Sequence, residues 1–163
     1  MAQRIIGKSD LRQAKRFILN DIRREVRLAY ASKNDERRAN LKRLGVPAGG
    51  GNFLAALGLL CYTEFWGKLK YGRGGARQNF DSFFDDLGPS YKAFRQSGVN
   101  VYHIFRCGLA HEYYVKRSCD IYMAKKKRFP IGIGRDQTGK YWFVVETYLR
   151  DFRKALNAYV KSR

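Results

Sequence analysis

Three side chains able to act on a phosphodiester interrupt one apolar stretch, Val101 to Lys116 (VYHIFRCGLAHEYYVK): Arg106, His111 and His103. The two histidines are the only ones in the chain. A guanidinium supplies fixed positive charge in a planar fork of donors that fits a phosphate, and an imidazole gains and loses a proton near neutral pH. That pairing suits RNA cleavage, in which one group holds and neutralises the phosphate while the other moves the proton of the attacking hydroxyl. Such groups are costly to bury without a partner. In a helix this apolar they are either satisfied by neighbours or in use.

Arg106 and His111 are five residues apart, which on a regular α-helix separates them by about 140° of rotation and roughly 7.5 Å of rise. Two arrangements bring both to one phosphate: a distortion of the helix near Gly108, or the same helix from a second copy meeting it across a two-fold axis. His103, Cys107 and His111 share one face at i, i+4 and i+8. A single straight helix cannot wrap three ligands around a tetrahedral ion, and the nearest further cysteine, Cys119, belongs to another element. No metal and no cofactor are therefore expected, and His103 is expected to be a satisfied core or interface residue.

The run Arg106-Cys107-Gly108-Leu109-Ala110-His111 resembles the Arg-x4-6-His motif of the HEPN superfamily, small helical-bundle proteins that include many metal-independent ribonucleases. Where the family's commonest form has a polar residue after the arginine, this chain has Cys107. The likeness extends over the helical body from Asp10 to Lys116 plus a closing C-terminal helix, but only these six residues match at the level of a motif. The resemblance implies attack of an RNA 2′-hydroxyl on the neighbouring phosphate, with release of a 5′-hydroxyl and a 2′,3′-cyclic phosphate. His111 would then transfer the proton and Arg106 would hold the phosphate, with Cys107 and Glu112 as supporting neighbours. It further implies a homodimer and, in some members, an antitoxin or other regulatory protein restraining a toxic or defence nuclease.

Composition points the same way. Lys plus Arg is 33 against 14 Asp plus Glu, a formal charge of +19, well beyond what solubility needs. A polyanion is the simple partner and nucleic acid the commonest one. Candidate phosphate contacts are Arg73 and Arg77 in YGRGGAR, Lys116 and Arg117, and the run Lys125, Lys126, Lys127 and Arg128. The exposed face of the first helix adds Arg12, Lys15, Arg16, Arg23, Arg24 and Arg27. The same features also suit a non-catalytic nucleic-acid-binding helical protein. No segment reads as membrane-spanning, since the longest apolar run, Phe53 to Tyr62, is too short. Three cysteines, an odd number, fit reduced thiols in a cytoplasmic protein better than a disulfide framework.

These residues must be held by a body that reads as mainly α: a HEPN-like helical bundle, one domain over 1–163, with a β-hairpin insertion over about 118–146 before the C-terminal helix. Helical spacing predicts a first helix from Asp10 to about Asn34 capped by Ser9 or Asp10, a flexible connector over Asn34 to Gly51, and a central buried helix from Phe53 to about Leu69 capped by Asn52. Phe80 to Leu87 predicts a short amphipathic helix stopped by Gly88-Pro89, whose acids Asp81, Asp85 and Asp86 suit its first turns. Strands are predicted over Asp120 to Ala124, Phe129 to Gly134 and Lys140 to Glu146, with Asp136 to Gly139 as the turn. Val145, Tyr148, Phe152, Leu156 and Tyr159 then predict a helix to about Lys161.

Overall fold

The computed structural model describes residues 7–31, 33–72, 74–112, 118–123 and 129–162. Helix α1 (Lys8–Ala31) buries Leu11, Ile18, Leu19 and Ile22 on one stripe. Asp10 reaches back to accept the Gly7 amide at 3.2 Å. Helix α2 (Asp35–Arg43) occupies the segment expected to be a connector, and it buries no residue. Its signals are local: Asn34 accepts the Arg37 amide, Asp35 and Glu36 sit at the positive end, and Lys42 and Arg43 at the negative end.

Helix α3 (Asn52–Tyr71) is the central element, packed on α1, α4, α6 and the helix that carries Arg106. Its start corrects the expected cap: Gly51 is the N-cap and Asn52 lies inside the helix, where its amide donates to the Ile121 carbonyl at 2.9 Å. Helix α4 (Ala76–Asp86) begins earlier than the phenylalanine pattern predicts, and Pro89 opens a further helix, α5 (Pro89–Gln96), rather than ending one. Proline is well suited to a first helical position, because its missing N–H would be unsatisfied there anyway. The three acids of α4 are held by cations rather than by the helix dipole: Asp81 by Arg77 at 3.6 Å, Asp85 by Arg95 at 2.6 and 2.7 Å, and Asp86 by Lys70 at 2.8 Å.

The β region is a three-stranded sheet and not a simple hairpin. Strands β1 (Cys119–Tyr122), β2 (Ile133–Arg135) and β3 (Tyr141–Val144) lie in the order β1-β3-β2, with β1 parallel and β2 antiparallel to β3. The expected hairpin is therefore the β2–β3 half, turned by Asp136, while β2 is shorter than predicted and β1 joins from the far side of β3. Helix α6 (Val145–Lys161) follows β3 directly and buries Tyr148, Phe152, Leu156 and Tyr159.

Two buried polar links tie the sheet and α6 to the bundle. Tyr148 Oη and Thr63 Oγ1 lie 2.9 Å apart, joining α6 to α3. Tyr91 donates to Asp151 at 2.9 Å and accepts the Gly132 amide at 2.8 Å, joining α5, α6 and the approach to β2. Burial first, then the Asp151 carboxylate, pushes the Tyr91 phenol up, so it serves as a neutral donor. Fully buried aromatics from α3, α4, α5, β3 and α6 fill the space between these links.

Candidate active site

The helix bearing Arg106 and His111 is not an α-helix. Over Tyr102–Glu112 it is a π-helix, closed by i→i+5 hydrogen bonds, a form that is rare at this length and concentrates at functional sites. Its start is set by Asn100, whose carbonyl accepts the Ile104 amide at 2.9 Å and whose side chain accepts the His103 amide at 3.2 Å. The buried pairs Ile104–Phe105 and Gly108–Leu109 recur four residues apart, an interval that either kind of helix keeps on one side. The apolar pattern therefore did not reveal the π form.

The consequence falls on the motif. A ladder of i→i+5 bonds winds more loosely than an α-helix and so turns residues five apart closer to one flank, which reduces the angular separation of Arg106 and His111 within one chain. The distortion considered near Gly108 thus runs over the whole helix.

The two side chains differ in setting. Arg106 is mostly buried, with 19% of its side chain exposed, and faces α3. Its Nε lies 2.8 Å from Glu64 Oε2, close enough for an ion pair although the N–H is not directed along a hydrogen bond. Its guanidinium also sits 5.7 Å from the Tyr102 ring centre, and the Tyr102 hydroxyl reaches the same Glu64 oxygen at 3.5 Å. Burial works against the Arg106 charge, but Cys61, Glu64, Tyr102 and Cys107 raise its pKa on balance, so it stays a cation. The Cys61 thiol is pushed up by burial more than Arg106 lowers it, which keeps it a protonated neighbour rather than a nucleophile. His111 and Glu112 are exposed, and Cys107 is half-buried.

Glu64 is the residue that sequence reasoning missed. Its signal was available: it is the only carboxylate in α3, in a helix apolar nearly all round, and a lone buried acid calls for a cation as much as a lone buried arginine calls for an anion.

For His103 the core half of the expectation does not hold. It is exposed rather than part of the core, at the mouth of a cleft of about 400 Å³ shared with Asn100, Arg135 and Tyr141. Arg77 stands on α4 rather than in a glycine-rich loop and pairs with Asp81. Arg73, Lys116, Arg117, Lys125, Lys126, Lys127 and Arg128 lie outside the described residues, as does the end of the predicted organising helix. Among the described residues, no three or more His, Cys, Asp or Glu are gathered to hold a metal ion, and no helix is long and apolar enough to cross a membrane.

Compared with protein-family models, curated proteins and solved structures, the chain matches none. The reading of the site rests on its own residues.

Proposed function

We propose that the protein is a metal-independent endoribonuclease in which Arg106 and His111 form the reacting pair. The observation that supports this reading is the π-helix, whose looser winding turns Arg106 and His111 closer to one flank of one element than an α-helix would. The phosphate docks on the outer side of the Arg106 guanidinium, whose inner side Glu64 and Tyr102 hold in place. As the 2′-oxygen bonds to phosphorus the 5′-oxygen departs, and the proton lost by the 2′-hydroxyl is matched by the one the 5′-oxygen gains. His111 carries the proton on one side of this exchange, and Arg106 stabilises the charge that builds on the phosphoryl oxygens.

On this reading each chain carries its own pair, so the homodimer that the HEPN resemblance implies would double the site rather than complete it. A role as a toxin or defence effector restrained by an antitoxin belongs to the same resemblance. The second reading, a binder that does not cut, is favoured by the ion pair that already engages Arg106.

The test is incubation of the purified protein with mixed RNA in excess EDTA. Cleavage should persist and leave 2′,3′-cyclic phosphate and 5′-hydroxyl ends. Activity lost on chelation and restored by a divalent ion would move the chemistry to carboxylates and defeat the assignment.

A further inference from the structure

Helices α1 and α2 line a cleft of about 520 Å³, within the roughly 300–1,000 Å³ typical of ligand-binding clefts. Its rim carries Arg23, Arg24 and Arg27 from α1 and Arg37 from α2. Its floor is aliphatic: Leu28, Ala31, Leu41 and Leu44, the last 75% exposed. Arg24 has Asp21 and Glu25 within 3.9 and 3.3 Å, whereas Arg23, Arg27 and Arg37 make no ion pair among the described residues. The cleft thus combines unneutralised guanidinium groups with uncovered apolar surface, and α2 buries nothing that would explain its leucines as core.

The chain has little negative charge with which to cover this site itself. Seven of its 14 carboxylates pair with cations outside this cleft, Asp35 with Arg38, Glu64 with Arg106, Asp81 with Arg77, Asp85 with Arg95, Asp86 with Lys70, Asp120 with Lys140 and Asp151 with Arg150, while Asp21 and Glu25 already lie against Arg24 at the rim. A second copy brings the same excess of cations, a formal charge of +19. The occupant must bring its own anionic groups.

Nucleic acid fits the rim but not the floor. Single-stranded RNA is held by aromatic rings on which bases stack, and among the described residues no aromatic side chain lines this cleft. A duplex backbone meets arginines on a surface and has no apolar group to seat on leucines. An amphipathic helix with acidic flanks supplies both kinds of contact at once, apolar anchors in the groove and carboxylates on the guanidinium forks.

We infer that the α1–α2 cleft is a docking site for an acidic amphipathic helical segment of a partner protein. Because α1 also carries arginines of the face assigned to RNA, such a segment would compete with RNA and so regulate access to it. The competition rests on the proposed RNA function; the docking does not.

The experiment uses the full chain and two fluorescent peptides of equal negative charge, one an amphipathic helix of Glu, Ala and Leu, the other with every Leu replaced by Ser. By anisotropy the Leu peptide should bind at least about tenfold tighter than the Ser peptide, a difference of about 1.4 kcal/mol. Leu44→Ser, at a site too exposed to unfold the protein, and the double variant Leu41→Ser/Leu44→Ser should shrink that difference while changing affinity for a single-stranded RNA less than about twofold. Arg27→Gln/Arg37→Gln should weaken the Leu peptide. Equal binding of the two peptides would show attraction by charge alone and overturn the inference, as would a parallel loss of RNA affinity in the leucine variants. A chain that passes these peptide tests yet binds no RNA keeps the docking site and loses the RNA reading.

Discussion

At Arg106 the neighbour that matters is Glu64. A carboxylate 2.8 Å from the guanidinium fixes its orientation and also repels an incoming phosphate, so removing the charge should separate the two effects. Glu64→Gln should tighten binding of a non-cleavable RNA while slowing cleavage by about tenfold, and should destabilise the fold by on the order of 2 kcal/mol because a largely buried cation loses its partner. His111→Ala, at an exposed position, removes the proton carrier without touching the core. Cleavage should fall below detection with RNA affinity and thermal midpoint nearly unchanged. If His111→Ala cuts at the parental rate, the nuclease reading fails and the non-catalytic binder replaces it.

Among the elements, α3 and α4 approach more closely than any side chain would permit. A Cβ on Gly67 would collide with the Asn79 backbone carbonyl, so Gly67→Ala should cost on the order of 3 kcal/mol in thermal or denaturant unfolding, the helices having to part to admit one methyl. The β2–β3 turn depends on a charge instead. Asp136 Oδ1 accepts the Thr138 hydroxyl at 2.7 Å and the Thr138 and Lys140 amides at 2.9 and 3.0 Å, and the Thr138 bond is the chief reason its carboxyl is held below the usual range. A depressed acid stabilises the folded turn above its unfolded pKa of about 3.9, and that contribution is lost as pH falls through the lower folded value. Protection of the Thr138 amide from exchange, relative to its intrinsic rate at each pH, should therefore fall below about pH 4, and an Asp136→Asn variant should show no such step.

For the whole molecule, the +19 charge predicts a steep fall of RNA affinity with salt, because each neutralised phosphate releases condensed counterions. A nearly flat dependence would mean that the charge serves something other than nucleic acid. The π-helix makes a second prediction at this scale. If each chain carries its own Arg106–His111 pair, mixing Arg106→Ala and His111→Ala chains should restore no cleavage even where they form mixed dimers. Recovery of about half the parental activity per mixed dimer would mean that the pair forms across the two-fold axis instead.

Period and composition by themselves determined the helical class, the buried stripe of α1, the central place of α3, the closing α6 and the β2–β3 turn, because each is written in local spacing of apolar residues or in turn chemistry. They also drew attention to Arg106 and His111, two polar groups set in an apolar helix. Helix α2 escaped because its determinants are caps and end charges rather than a buried face. Strand β1 was legible over Asp120 to Ala124 but its parallel pairing was not, because parallel pairing joins segments distant in sequence and leaves no turn between them. Only the tertiary structure brought Glu64 to Arg106 across 42 residues of chain, exposed His103, and chose i→i+5 over i→i+4 bonding where the apolar spacing accepts both. Those choices depend on which surfaces meet, and a single chain's pattern records which residues are apolar but not what they pack against.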